Sequence, residues 1–212
     1  MQKKKLVLIG GGGHCKACID VVECTGQYEI IGILDHDKLL GTNVLGYKII
    51  GSDNDIAKYK KLGIHFLITV GQIRSAIIRN NILNSLEQSD CELATVISPY
   101  AYVSKHASIG KGTIVMHGAK INAASVVGLN CILNTGCNIE HDTVIGNSTH
   151  ISTYAVINGG CIIGNDVFVG SNATVSNGIN ITDDVVLGAA SFVNNNIEKA
   201  GTYVGNPLIK IK

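Results

Sequence analysis

From Ile97 onward every sixth residue is aliphatic: Ile97, Val103, Ile109, Val115, Ile121, Val127, Leu133, Ile139, Ile145, Ile151, Ile157, Ile163, Val169, Val175, Ile181, Leu187 and Val193. Isoleucine, leucine and valine supply 64 of 212 residues, so chance placement of all seventeen has a probability on the order of 10⁻⁹. Two positions earlier the side chain is small, as at Ala101, Ala107, Thr113, Ala119, Ser125, Cys131, Cys137, Thr143, Thr149, Ala155 and Cys161. One large and one small inward side chain per six residues fill the interior behind a short flat β face, a pattern that helical periods do not produce. Gly110, Gly128, Gly146 and Gly164 add a second period of eighteen residues. Three faces per coil, with a glycine at one corner, describe a triangular β-helix of about five to six coils. Val126, Ile132, Val144, Val156, Ile162 and Val186 fall on the alternate, outward phase, and apolar side chains there predict contact with other copies of the chain.

The first part of the chain reads differently, and the expected domains are 1–93, an α/β unit, and 94–212, the β-helix with a C-terminal tail. Leu6–Ile9 is a short apolar run that leads into Gly10, Gly11, Gly12, Gly13 and His14, followed by a helix-compatible stretch from Lys16 to Cys24. Further strands are expected over Glu29–Leu34, ending at Asp35, and Phe66–Val70, ending at Gly71, with helices over Asp53–Lys61 and Arg74–Leu86. Alternating strands and helices imply a small parallel, Rossmann-like sheet, and ligands of such sheets bind at the carboxyl ends of the strands. Gly12, Gly13, His14, Asp35, His36 and Gly71 are therefore the candidate substrate-binding residues. Glycine loops let backbone N–H groups approach a diphosphate at a helix start, and Asp35 could accept from a ribose hydroxyl. Cys15 occupies the third glycine position of the dinucleotide fingerprint, which points to a nucleotide sugar more than to NAD. Cys15 and Cys18 form a C-x-x-C without a second pair to close a zinc site, and they read as small core residues.

Composition narrows the function classes. The charge balance is 17 basic against 16 acidic residues, which offers no basic field for a nucleic acid partner. No run of about eighteen apolar residues marks a membrane span, and no secretory leader is legible at the start. Seven cysteines in a chain of this size fit a reduced, cytoplasmic setting.

Inward positions of a β-helix are filled, so chemistry must come from outward ones. The run Leu133-Asn134-Thr135-Gly136-Cys137-Asn138-Ile139-Glu140-His141-Asp142 is the coil densest in hydrogen-bonding side chains. A histidine beside a carboxylate has the parts of a general base, since an acid can fix its tautomer. Adjacent residues of a regular strand point oppositely, so Asp142 reaches the His141 ring only if the chain turns a corner between them.

The repeat resembles that of the hexapeptide-repeat acyltransferases. The Gly13-His14 loop, Leu34-Asp35, Asn134-Thr135, Ile139-Glu140-His141-Asp142, His150 and the tail Gly201-Thr202-Tyr203-Val204-Gly205-Asn206-Pro207 resemble the sialic acid O-acetyltransferase family. Within it the likeness is closest to bacterial UDP-4-amino-sugar N-acetyltransferases of the bacillosamine type, over nearly the whole chain. Asp142 stands where those enzymes usually have Glu, and Leu208 where the tail commonly has a small residue. The resemblance implies a left-handed helix, a homotrimer with active sites between subunits, acetyl-CoA as cosubstrate, no metal, and direct acetyl transfer to a nucleotide-linked amino sugar. It implies His141 as the base supported by Asp142, with Asn134 and His150 near the acetyl group and Gly159, Ser171 and Ala189 along acetyl-CoA. The eighteen-residue period puts Gly159 one coil from His141 and Ala189 one coil from Ser171, positions that are compatible with one groove. O-acetylation of a free, sialic-acid-like sugar, a zinc-dependent hydratase and a non-catalytic trimeric scaffold stand as alternatives. The histidine spacing of 106, 117, 141 and 150 does not supply the ligand set of the hydratase.

Overall fold

The computed structural model describes residues 3–206 and 208–211, and Pro207 of the tail motif lies outside them. Contacts divide the chain into two compact units: the residues up to Gly71 with Ile77–Val96, and Gln72–Ala76 with the chain from Ile97 onward.

The first unit is built on a sheet in which β1 (Lys4–Ile9) lies between β2 (Tyr28–Leu34) and β5 (His65–Ile68), both parallel to it. Its core is the apolar run Leu6, Val7, Leu8 and Ile9, at most 1% exposed, packed with Phe66, Leu67 and the inner face of α1 (Gly13–Thr25). Cys15 and Cys18 belong to that inner face and are fully buried. Burial pushes the Cys15 thiol up to about 11 and raises Cys18 further, so both stay neutral thiols. The helix begins three residues before the expected Lys16, at Gly13, with Gly12 as its extended N-cap.

One pair of strands is not visible from pattern alone. β3 (Asn43–Val44) and β4 (Tyr47–Gly51) form an antiparallel hairpin across Leu45 and Gly46, both with positive φ, and β4 extends the parallel sheet beside β2. Its two-residue turn has the geometry that hairpins favour, but Leu45 is a poor advertisement for it. α2 (Ile56–Lys60) follows a short 3₁₀ turn capped reciprocally by Ser52 and Asp55, and α3 (Ile77–Gln88) completes the unit.

The second unit is a parallel β-helix. Among its described residues two- to four-residue strands stack into three sheets of six, five and eight strands. The six-stranded sheet contains Lys120–Ile121, Asn138–Ile139 and Val156–Ile157; the five-stranded one Val126–Val127, Val144–Ile145 and Ile162–Ile163; the eight-stranded one Ile132–Leu133, His150–Ile151 and Phe168–Val169. The ladders between Tyr102 and Val193 are in register at eighteen residues, so Ile121 pairs with Ile139 and Ile139 with Ile157, while the last parallel ladder, Val185–Leu187 with Gly201–Tyr203, is at sixteen. The aliphatic positions from Val115 to Val193 are at most 3% exposed, and the small positions between Thr113 and Ala173 are at most 1% exposed.

The corners are made differently from the expectation. Positive φ recurs at every sixth residue from 112 to 190, including Gly118, Ala124, Asn130, Gly136, Asp142, Ser148, Tyr154 and Gly160. The glycines of the eighteen-residue period are not those residues. Gly110, Gly128, Gly146 and Gly164 are needed because a β-carbon on each would meet the next coil, as at 2.5 Å between Gly146 and the carbonyl carbon of Gly164. Of the outward apolar residues, Val126, Val144 and Ile162 form an exposed column on the five-stranded sheet, Val156 and Val186 are half-buried, and Ile132, expected outside, is fully buried. No described helix is long and apolar enough to cross a membrane.

Candidate functional site

In the β-helix, His141 follows the strand Asn138–Ile139 and Asp142 takes the left-handed corner conformation, φ 59°. That corner turns the two side chains toward one another, and His141 Nδ1 lies 2.7 Å from Asp142 Oδ2. A carboxylate only accepts, so Nδ1 carries a proton, and in the neutral ring Nε2 presents a lone pair. Both side chains are more than 60% exposed, at 63% and 67%, and the pair stands at the surface of the prism. The imidazole lies on Gly159 of the next coil, where a β-carbon would come 2.8 Å from both Cε1 and Nε2. Gly160 N–H donates to the His141 carbonyl at 2.9 Å and ties the two coils together beneath the ring. Next to this pair, Glu140 accepts from the side-chain amides of Asn122 and Asn138 at 3.0 and 2.8 Å, which fixes the strand that leads into the corner.

Asn134, His150, Ser171 and Ala189 occupy another part of the prism. Ala190 N–H donates to Ser171 O and Asn172 N–H to Thr153 O, so this column runs along the corner that precedes the six-stranded sheet, while His141 and Gly159 lie at the corner that follows it. His150 is 6% exposed. Its Nδ1 lies 2.6 Å from the carbonyl of Gln72, its Nε2 3.1 Å from Asn134 Nδ2, and its ring meets Phe168 edge to face. Ser171 shares a hydrogen bond with Ser152 at 3.0 Å. The structure therefore brings His141, Asp142 and Gly159 together, and separately brings Asn134 to His150 and Ser171 to Ala189. Within one chain the two groups stand on opposite edges of one sheet.

In the first unit a cavity of about 450 Å³ opens at the carboxyl ends of β1 and β2. Asp35 and His36 line it, with Gly10, Ser52, Asp53, Val70 and Asn81. Gly12, Gly13, His14 and Gly71 do not line it, although Gly71 is close enough to His14 that a β-carbon would touch it at 3.4 Å. Both Asp35 oxygens already accept backbone N–H groups, Oδ2 from Gly11 and Oδ1 from His36, so this acid shapes the glycine loop. Two residues that hold the loop carry no motif. Thr69 Oγ1 donates to Gly10 O at 2.6 Å, and buried Arg79 donates through Nη1 to the carbonyls of Ile68 and Val70. Gly10 itself has φ 100° and leaves no room for a side chain against Val70. Loss of solvent around its carboxyl, and then the charge of Asp35, raises Asp53 above its ordinary value on the cavity wall.

Comparison with known proteins places this geometry. Residues 5–86 match the PglD N-terminal domain, and residues 142–177 match the bacterial transferase hexapeptide repeats. Over 120 residues the chain is 40% identical to an uncharacterised protein of Acanthamoeba polyphaga mimivirus, a match covering 56% of this chain and 22% of that protein. Over 115 residues it is 31% identical to UDP-N-acetylbacillosamine N-acetyltransferase of Bacillus subtilis (strain 168), covering 53% of this chain and 51% of that enzyme. The matches thus span about half or less of these curated relatives. Among solved structures it is similar to the acetyltransferase domain of PglB from Neisseria gonorrhoeae FA1090 in complex with acetyl coenzyme A, with 29% identity, a TM-score of 0.92 and coverage of 99% and 100% of the two chains. PerB from Caulobacter crescentus in complex with CoA and GDP-perosamine is similar at 29% identity and a TM-score of 0.90, over 98% and 97%. With residues 5–86 matching the PglD N-terminal domain, residues 142–177 matching hexapeptide repeats, and end-to-end likeness to these two solved structures, the chain has the fold of the PglB and PerB acetyltransferases and is similar to them in sequence.

Proposed function

We propose that this protein is an acetyl-CoA-dependent N-acetyltransferase that acts on the amino group of a nucleotide-linked 4-amino sugar, with His141 as general base. The observation that carries the reading is the His141–Asp142 pair laid over Gly159. Asp142 holds the Nδ1 proton, and Nε2 is left to take a proton from the amine as it adds to the thioester carbonyl. The N–C bond forms, the tetrahedral intermediate collapses, the C–S bond breaks, and the proton held by His141 is free to pass to the departing thiolate. The bare α-carbon of Gly159 leaves room for the acetyl group beside the base. Its N–H makes no hydrogen bond among the described residues, which suits it to donate to the oxyanion.

Acetyl-CoA supplies the activated acetyl group when bound, and Asn134, His150, Ser171 and Ala189 would lie along it. Their corner and that of His141 are distinct in one chain, which supports a homotrimer whose active sites lie between subunits, with the exposed column Val126, Val144 and Ile162 as an apolar contact between copies. The nucleotide would occupy the cavity beside Asp35 and His36, with the glycine loop, His14 and Gly71 near the sugar end. In this reading the enzyme works in the cytoplasm with its cysteines reduced, and needs no metal.

The test is free-thiol release from acetyl-CoA with a panel of UDP-, GDP- and dTDP-linked 4-amino sugars. The wild type is expected to turn over at least one, and His141→Ala to lower kcat by about 10² to 10⁴. Release with a free nonulosonic acid and with none of the nucleotide sugars would replace the reading by O-acetylation.

A further inference from the structure

His150 sits in a hydrogen-bond chain between the carbonyl of Gln72 and the side-chain amide of Asn134. A backbone carbonyl only accepts, so Nδ1, 2.6 Å from Gln72 O, carries a proton. At the far end Thr135 N–H only donates, 2.7 Å from Asn134 Oδ1, which fixes the orientation of that amide. The amide nitrogen therefore faces His150, and Nε2, 3.1 Å away, must accept. Protonating Nε2 would set two donors against each other in a site that is 6% exposed. The ring is thus a neutral, Nδ1–H imidazole, and the second N–H of Asn134 is the donor this chain presents.

Resting on the acetyl-CoA reading above, we propose that His150 is a positioning residue: anchored by the carbonyl of Gln72, it accepts one N–H of Asn134 and turns the other toward a carbonyl oxygen of the acyl-CoA. The chemical work at His150 is acceptance. It is neither a second base nor a donor to the thioester, and the segment Gln72–Ala76 contributes to the acyl-donor site through its main chain. The packing of Phe168 against the ring edge to face keeps the imidazole in the plane that both hydrogen bonds need.

Two measurements on the full chain test this. The ring ¹⁵N shifts of the unliganded protein, assigned with His150→Gln, should report a protonated Nδ1 and a bare Nε2 over about pH 6 to 8. A protonated Nε2 would overturn the proposal, and this readout needs no enzymatic activity, so it stands even if the acetyltransfer reading fails. In the assay, Asn134→Ala and His150→Ala should each raise KM for acetyl-CoA by a similar factor, about tenfold or more, with the double variant no worse than either. His150→Gln, whose side-chain oxygen can replace Nε2 as acceptor, should recover most of that loss, whereas His150→Asn should not. The acid limb of the kcat–pH profile should stay in place in all of them. Additive losses, or a limb that moves with His150, would give this histidine a part in the proton chemistry and sink the inference.

Discussion

The imidazole of His141 rests on the α-carbon of Gly159 so closely that a β-carbon there would lie 2.8 Å from Cε1 and Nε2. Gly159 does not have a left-handed φ, so alanine is compatible with its backbone, and what would yield is the end of an exposed side chain. Gly159→Ala should therefore leave the melting temperature nearly unchanged while displacing the imidazole proposed as base. A misplacement of about 1 Å commonly costs on the order of 10² in rate, and kcat/KM should fall by about that much. Equal activity in glycine and alanine forms would remove the ring-on-glycine contact from the mechanism.

Asp142 has two duties, and substitutions separate them. Asp142→Asn keeps a residue tolerant of the left-handed corner but loses the charge that holds the Nδ1 proton. Its kcat should drop by about ten- to a hundredfold with little change in stability. Asp142→Ala should show a similar kinetic loss together with a lower melting temperature, since the corner then strains by roughly 1 kcal/mol. Thermal scans run beside the kinetics decide whether the two effects separate in this way.

Thiol chemistry and pH follow from burial. The thiolate is the reactive form, and Cys15 is held up to about 11, Cys137 up to about 12, with Cys18 raised as well. A thiol reagent at about pH 8 should label the exposed Cys24 rapidly, the half-buried Cys91 slowly, and the other five cysteines only after denaturation. The same shifts make stability pH-dependent in one direction. A folded-state value raised above the ordinary 9.0 means that stability is full below about pH 9 and is lost as pH climbs toward about 11. Thermal melts from pH 8 to 11 should show a steady fall over that window, steeper than for a Cys15→Ala variant.

Two kinds of glycine in the prism should respond differently to alanine. At Gly146 the new β-carbon meets backbone of the adjacent coil at 2.5 Å, and backbone cannot step aside, so Gly146→Ala should cost several kcal/mol or prevent assembly of the helix. At Gly160 nothing lies within 4 Å and only the φ of 70° resists, so Gly160→Ala should cost about 1 kcal/mol. Denaturant melts of the two variants would reverse in order if corner conformation mattered more than coil spacing.

The side chain of Gln72 offers a stability test that leaves its main-chain carbonyl in place. Its side chain is 2% exposed, and neither Oε1 nor Nε2 finds a partner among the described residues. A buried, unpaired amide costs about 1 to 3 kcal/mol, and methionine fills nearly the same volume without that cost. Gln72→Met keeps the backbone carbonyl that His150 uses and should raise the melting temperature by a few degrees. A lower melting temperature would show that the amide is paired in the working protein.

Much of this was legible because the β-helix repeats one rule. Each aliphatic from Val115 to Val193 lands inside because a six-residue face leaves only two inward positions, and the order of faces follows from counting. His141 and Asp142 could be picked out together, but their contact depended on a corner that adjacency alone did not guarantee; the left-handed φ of Asp142 supplies it. Ile132 was misread as exposed because the repeat says which side chains point outward and nothing about what covers them. The eighteen-residue period fixes spacing along an edge without saying which edge, so the sequence did not show that Gly159 and Ser171 stand on different corners of one chain. Thr69 and Arg79 gave no signal at all. A threonine after a strand and an arginine within a helix are ordinary, and their partners are carbonyl groups, which carry no sequence.

Because left-handed residues recur at a fixed interval from 112 to 190, the prism tolerates length changes only in whole rungs. Adding or removing one coil of eighteen residues well before His141 would lengthen or shorten the tower and leave His141 facing outward as before, whereas a single inserted residue within a strand would turn every side chain beyond it inside out. Extra sequence can enter such a molecule only as a loop thrown out from a corner. Descendants of this chain can therefore vary their height in discrete steps while keeping the histidine on the same edge.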